Sequence, residues 1–297
     1  MPSTATDTDL PVEEQIFVET FGHHDPASAK SRAPSLQKVI EKLPAVVGLF
    51  WVLKILATTL GETGGDLFAQ TLKLGYGPTS VVMFTLLFVA LVAQIRSKKY
   101  RPALYWTVIL LTSTAGTTMS DFMNRTLKFG YAKGSLILIS LLLATLFTWR
   151  VVEGDLDVKH VKTLRAEVLY WTAILFSNTL GTSLGDYLAD SSGLGFGGGA
   201  MLVGAVMVAV LLAFKYTKIS KVALFWIAFV LTRPLGATVG DYFTKTNAKG
   251  GLNFGTKGTS ALLAVLLIGF VVHATRKVRN GRDAVEVGED ARELVAV

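Results

Sequence analysis

The sequence predicts an all-α membrane protein with eight transmembrane helices, made of four tandem two-helix repeats in the same orientation, arranged with pseudo-fourfold or nested twofold symmetry. Three observations lead there. Of 297 residues, 51% are hydrophobic and 17% charged, below the quarter or so that an ordinary soluble domain carries. Eight apolar runs follow one another between Leu43 and Thr275. Trp51, Trp106, Trp171 and Trp226 are each followed ten residues later by Gly (Gly61, Gly116, Gly181, Gly236) and fifteen residues later by Asp (Asp66, Asp121, Asp186, Asp241), with no gap in any copy.

Residues 1–42 form a polar tail without a basic, apolar and cleavable leader pattern, which reads as cytosolic. The membrane domain spans 43–275, with repeats at 43–98, 99–152, 163–217 and 218–275, and a charged cytosolic tail follows at 276–297. Within the repeats the apolar segments are 43–66 and 79–95, 102–121 and 134–149, 166–186 and 199–214, 221–241 and 259–274. The second segment of each copy is short for a bilayer crossing, which implies a thin or compressed span. A second Gly recurs nine residues past Asp in Gly75, Gly130 and Gly195; in the fourth copy Gly255 matches better than Gly250, so that copy carries a short insertion.

Cations gather between the repeats (Arg96, Lys98, Lys99, Arg101; Arg150, Lys159, Lys162, Arg165; Lys215, Lys218, Lys221) and are fewer in the loops inside them, which should face outward (Lys73, Arg125, Lys128, Lys133, Lys245, Lys249, Lys257). Positive loops mark the cytoplasmic side, so both termini face inward from a bacterial inner membrane. The net charge of +7 belongs to these loops and does not make a nucleic-acid face.

Positions seven, eleven and fifteen after each Trp share one helix face. They read Thr58, Glu62 and Asp66; Ser113, Thr117 and Asp121; Asn178, Thr182 and Asp186; Arg233, Ala237 and Asp241. One residue earlier runs a stripe of small residues (Gly61/Gly65, Gly116/Ser120, Gly181/Gly185, Gly236/Gly240), the spacing that lets helices approach closely in lipid. If the four first helices surround one axis, Glu62 and four Asp meet. Carboxylates with Thr and Asn oxygens are hard ligands, suited to Mn²⁺, Mg²⁺, Ca²⁺, Na⁺ or a proton relay. The expected ion site is Glu62, Asp66, Asp121, Asp186 and Asp241, supported by Thr58, Thr117, Asn178, Thr182 and Arg233. The bland alternative makes each Asp a helix-end residue bonding its own turn, since about 20 residues at 1.5 Å place it ~30 Å along a straight helix, near the outer interface. Arg233 and Lys54 at membrane depth call for carboxylates or an anionic substrate, and Pro234 for a bent or broken helix.

With no Cys, a thiolate metal site, an iron–sulfur cluster and a cysteine nucleophile are excluded. His23 and His24 beside Asp25 read as solvated tail residues, the four Trp as anchors or packing residues, and the Gly-rich stretch 193–199 as an outer loop. No nucleophile and base arrangement or nucleotide motif occurs, so no enzyme and no cofactor beyond a bound cation is expected.

The strings KILATTLGETGGD and FWIAFVLTRPLGATVGDYF, with their TTxGET (Thr58 to Thr63) and TRPLGA (Thr232 to Ala237) elements, resemble an uncharacterised family of bacterial repeat-containing integral membrane proteins. The resemblance covers about 43–275 and implies the eight-span, four-repeat architecture; it implies no activity. The function expected from the residues is transport of a small cation through a carboxylate-lined site, with a channel as a variant. The alternatives are a non-transporting membrane scaffold or sensor, and an organic-anion carrier centred on Arg233 and Lys54.

Overall fold

The computed structural model describes residues 44, 48–97 and 99–295, with side chains to 280. The described part contains eight long helices and no strand: α1 Gly48–Asp66, α2 Tyr76–Arg96, α3 Pro102–Asp121, α4 Tyr131–Glu153, α5 Leu164–Asp186, α6 Gly195–Tyr216, α7 Lys221–Thr244 and α8 Thr256–Val295. Five of them (α2, α4, α6, α7 and α8 as far as Asn280) are long and apolar enough to cross a membrane. The other three, α1, α3 and α5, carry the Thr, Ser, Asn and Gly that dilute their hydropathy.

Those polar residues have an internal destination. The four first helices pack as a closed ring, α1 on α3, α3 on α5, α5 on α7 and α7 on α1. Each second helix packs outside the ring on the first helix of the following repeat: α2 on α3, α4 on α5, α6 on α7 and α8 on α1. The outer helices present rows of exposed apolar side chains, among them Val81, Phe88, Leu136, Phe147, Met201, Leu211, Leu262 and Val265. An apolar surface of that extent marks contact with lipid or protein.

The small-residue stripe makes the ring seam. A Cβ on Gly61 would stand 2.2 Å from Ser113 Oγ, one on Gly116 2.9 Å from the Thr179 backbone nitrogen, one on Gly181 2.2 Å from Arg233 Cγ and one on Gly236 2.5 Å from Thr58 Oγ1. The same repeat position thus meets the same position of the next repeat four times over. Hydroxyls stitch the seams, with Ser113 Oγ donating to Thr58 O at 3.4 Å, Thr117 Oγ1 to Gly61 O at 3.3 Å and Thr58 Oγ1 to Thr232 O at 3.2 Å. Such close backbone approach is the chief source of helix association where lipid removes the hydrophobic driving force.

The end of the ring at which the four first helices begin is aromatic. Trp106, Trp171 and Trp226 are buried with Phe50, Tyr105, Trp149, Tyr170 and Phe229, and the Tyr105 and Tyr170 hydroxyls share a hydrogen bond of 2.7 Å. The linker after α4 folds under this cluster through a 3₁₀ turn at Val158–His160, buries Val161 and receives the Trp226 Nε1 hydrogen at Leu156 O, 3.0 Å away. On its exposed side, His160 and the Asp157 backbone N–H hold the Asp155 carboxyl below the usual carboxylate range.

The opposite ends of the first helices repeat as well. α1, α3 and α5 run without a break into a five-residue π turn (Leu67–Thr71, Phe122–Thr126, Tyr187–Ser191) that begins at the residue after the repeat Asp. A positive-φ pair then turns the chain into the second helix: Lys73 and Gly75, Lys128 and Gly130, Gly193 and Gly195, Asn253 and Gly255. Gly255 therefore is the fourth counterpart, and the fourth repeat carries its insertion between Asp241 and that turn.

Three expectations need correction. The second helices α2, α4 and α6 have 21, 23 and 22 residues, ordinary crossing lengths, so no thinned span is implied. Their first turns, such as Tyr76-Gly77-Pro78-Thr79, are small or polar and hide from hydropathy. The glycines from Gly195 onward belong to α6, where a Cβ on Gly199 would come within 3.2 Å of Thr238 Cγ2, and not to an outer loop. α7 continues through Pro234 as one helix, so the chain is not broken there. His23, His24 and the first 42 residues lie outside the described part.

Gly116→Ala is expected to force α3 from the α5 backbone and cost about 1–3 kcal/mol, read as a lower thermal midpoint of the purified protein. Gly204→Ala, with nothing within 4 Å of its Cβ, should leave the midpoint unchanged or raise it slightly.

Candidate functional site

The ring encloses a column of buried polar groups instead of an open bore, and its levels follow the repeat register. At the lowest level Lys54 reaches from α1 across the ring to α5, donating to Asn178 Oδ1 at 3.3 Å with its ammonium 4.1 Å from the centre of the Phe229 ring. Asn178 Nδ2 donates in turn to Thr112 Oγ1 at 3.0 Å. Among the described residues Lys54 forms no ion pair, against the expectation that it finds a carboxylate.

One level up, Arg233 crosses from α7 toward α3, fully buried. Its Nη2 donates to Glu62 Oε2 at 2.9 Å, to Thr182 Oγ1 at 2.6 Å, to Thr117 Oγ1 and to Ser113 O at 3.4 Å. Thr117 and Thr182 also lie 3.3 and 3.1 Å from the same Glu62 oxygen. Glu62, Thr117 and Thr182 are equivalent positions of three repeats; the fourth equivalent is Ala237, on the helix that supplies Arg233, and its missing side chain leaves room for the guanidinium. Arg233 Nε and Nη1 have no hydrogen-bond partner among the described residues.

The four repeat Asp are buried at the opposite end of the ring from the aromatic cluster, the last or near-last residues of their helices. None of Asp66, Asp121 and Asp186 makes a side-chain cap bond to the turn that follows it. Two cations hold them in pairs. Arg125 joins Asp121, Nε to Oδ1 at 2.8 Å, to Asp186, Nη2 to Oδ2 at 3.3 Å. Lys245 Nζ joins Asp241, Oδ1 at 3.1 Å, to Asp66 Oδ2, and Gln70 Nε2 donates to the other Asp66 oxygen. Glu62 lies on the Lys245 side: one oxygen each of Glu62, Asp66 and Asp241 fall within 4.8 Å of one another.

Of the expected site residues, Glu62, Asp66, Asp241, Thr117, Thr182 and Arg233 thus stand together at the upper levels. Asp121 and Asp186 form a separate pair, Asn178 belongs to the Lys54 level, and Thr58 bonds only backbone carbonyls at the α1–α7 seam. The residues that sequence reasoning missed are Arg125 and Lys245, counted only as outer-loop cations. Their signal was available: each follows its Asp by four residues, one helical turn.

Five buried carboxylates at this end face three cations, Arg233, Arg125 and Lys245. Buried charge left unmatched is costly, so the surplus calls for protons or a metal cation. A carboxylate triad with Thr hydroxyls nearby is a hard-oxygen ligand set that fits a small cation. Away from this column, a groove of about 580 Å³ opens on the apolar flank between α2 and the end of α3; its lining, from Gly77 to Phe88 on one side and Met119 and Phe122 on the other, holds no ionisable group.

Comparison with known proteins places this architecture in a family of repeat-built chains. The family model described as Repeat of Unknown Function (DUF347) matches four consecutive stretches, 49–100, 104–155, 169–220 and 224–280, and the chain belongs to that family. No curated protein and no solved structure matches.

Removing one member of the Arg233–Glu62 pair should be far worse than removing both. Arg233→Met is expected to cost about 3–5 kcal/mol, and adding Glu62→Gln to recover most of it, read as thermal midpoints in a double-mutant cycle.

Proposed function

We propose that the protein is an eight-span transporter of a small cation in a bacterial inner membrane, with both termini in the cytoplasm. The observation that carries this reading is the Glu62, Asp66 and Asp241 triad, three carboxylates within 4.8 Å at the outer end of a buried column whose acids outnumber their cations. The polar inner helices then cross the membrane inside a jacket of apolar ones. The basic inter-repeat segments support the orientation, since Arg96, Lys99, Arg101, Arg150, Lys159, Lys162, Arg165, Lys215, Lys218 and Lys221 all fall at one end of the helices.

Lys54 and Arg233 span the ring at successive levels below the triad, and the aromatic cluster fills its inner end. That stack favours a carrier that opens to one side at a time over an open channel. A cation reaching Glu62 competes with the Arg233 guanidinium for the same oxygen, which couples occupancy to the helix carrying Arg233. The glycine seams let that helix move against its neighbours. A divalent ion such as Mn²⁺ stands ahead of Na⁺ or a proton because several carboxylates converge.

Purified protein in proteoliposomes, tested for flux of Mn²⁺, Mg²⁺, Ca²⁺ and Na⁺ and for dissipation of a pH gradient, decides. One cation should be transported, and Glu62→Gln and Asp241→Asn should each slow it about tenfold or more while remaining monodisperse. No flux of any cation overturns the reading and favours a scaffold or sensor. A second reading rests on Arg233 Nε and Nη1, without a hydrogen-bond partner among the described residues, one level above Lys54, a donor-rich stretch of the column suited to an anion. Uptake of a small carboxylate, lost in Arg233→Gln and unaccompanied by cation flux, would establish it.

A further inference from the structure

We propose that Lys245 is a tethered counter-ion: its ammonium occupies the position of the transported cation on Asp66 and Asp241, and cation entry displaces it. The proposal rests on the cation-transport reading and adds to it which pair of repeats binds the ion, what holds the site between cycles, and why the four Asp are not equivalent.

The residue four places after each repeat Asp alternates around the ring: Gln70, Arg125, Asp190, Lys245. Only the second and fourth repeats supply a cation there, and each spans the seam to the Asp of the next repeat. The ring is therefore twofold at this level. The two cations differ in chemistry. Arg125 uses two nitrogens of a rigid fork, one for each carboxylate, which fixes Asp121 and Asp186 relative to each other. Lys245 holds both of its carboxylates with a single nitrogen, the arrangement of a point charge, and a bound metal ion makes the same demand on the same oxygens. Glu62 completes a triad with the Lys245 pair, one oxygen of each within 4.8 Å, and among the described residues it forms no ion pair with the ammonium, whereas an ion of higher charge would draw it in.

The backbone separates the two cations as well. Arg125 lies within the π turn that continues α3, whereas the chain leaves α7 at Lys245 in extended conformation, with φ −71° and ψ 155°. The insertion peculiar to the fourth repeat is built around that residue. The Asn253 N–H donates to Lys245 O at 2.9 Å, and Gly251 packs so closely that a Cβ there would stand 2.2 Å from the same oxygen. The Lys245 N–H still donates to Asp241 O at 2.8 Å and the Leu252 N–H to Tyr242 O at 2.7 Å, so the loop is pinned to the last turn of α7 and the flexible lysine side chain is what swings aside. That side chain is 16% exposed while the two carboxylates it covers are buried, so it forms the outer lid of the triad.

The test is Mn²⁺ binding, by calorimetry, to the full-length protein in lipid nanodiscs. Lys245→Gln should bind Mn²⁺ about tenfold tighter than wild type, a difference of ~1.4 kcal/mol, because no built-in cation competes. Lys245→Arg and Arg125→Gln should bind no tighter than wild type. In the wild-type protein, Mn²⁺ should increase the acetylation of Lys245 by acetic anhydride, quantified by mass spectrometry, as the amine is released. Unchanged or weaker binding in a monodisperse Lys245→Gln overturns the proposal; if that variant does not fold, unchanged Lys245 acetylation with Mn²⁺ does so. Wild-type Mn²⁺ flux together with either of these results defeats the tethered counter-ion alone, while absence of both flux and binding in every variant defeats the cation reading with it.

Discussion

Everything in this molecule follows from how near the four inner helices come to one another. A glycine at the same place in each repeat lets the backbone of one helix rest on the seventh position after Trp in the next, and the ring has no room for a larger residue at those seams. Because the helices are drawn so close, the side chains of the inward face cannot spread into a water-filled bore. They have to satisfy one another across the axis, and the identities at each level are those that can: an ammonium on an amide, a guanidinium on a carboxylate and two hydroxyls, and carboxylates on two further cations.

Fourfold backbone repetition with asymmetric side chains is the physical character of the column. A ring of four identical residues at one level would place like groups together, and four carboxylates with no cation between them repel. Substitution of single positions resolves this at every level. Lys54 replaces an apolar residue, Arg233 takes a hydroxyl or amide position, Ala237 makes way for it, and Glu62 stands where two other repeats have Thr. A bundle core filled by Leu and Ala would carry a lower electrostatic cost than this asymmetric set of buried charges.

The repeat, the pairing of helices and the glycine seams could be read from the chain because they are periodic, and periodicity survives without coordinates. The alignment of Gly255 with the earlier glycines could be read too, and the positive-φ turns repeat it. What remained hidden depended on direction. Lys54, read as needing a carboxylate, crosses the ring to an amide, because its helix faces α5 at that level; nothing local to residues 50–60 says so. Arg125 and Lys245 were assigned to loops because apolar periodicity stops before them, whereas the helical path continues past Asp through a π turn in one case and through the last turn of α7 in the other. The short outer spans had a similar origin: Tyr, Gly, Pro and Thr start a helix well but score poorly as membrane residues.

The packing of each second helix on the following repeat has a topological consequence. Since α8 completes the pattern by covering α1, the fourth repeat closes on the first in the same sense as the first closes on the second, with α8 also touching α3 and α7. A chain of two repeats would expose one uncovered first helix and one unseated second helix, the two halves of a joint that a twin molecule could fill. The alternation of Gln70 and Asp190 with Arg125 and Lys245 carries the same twofold sense.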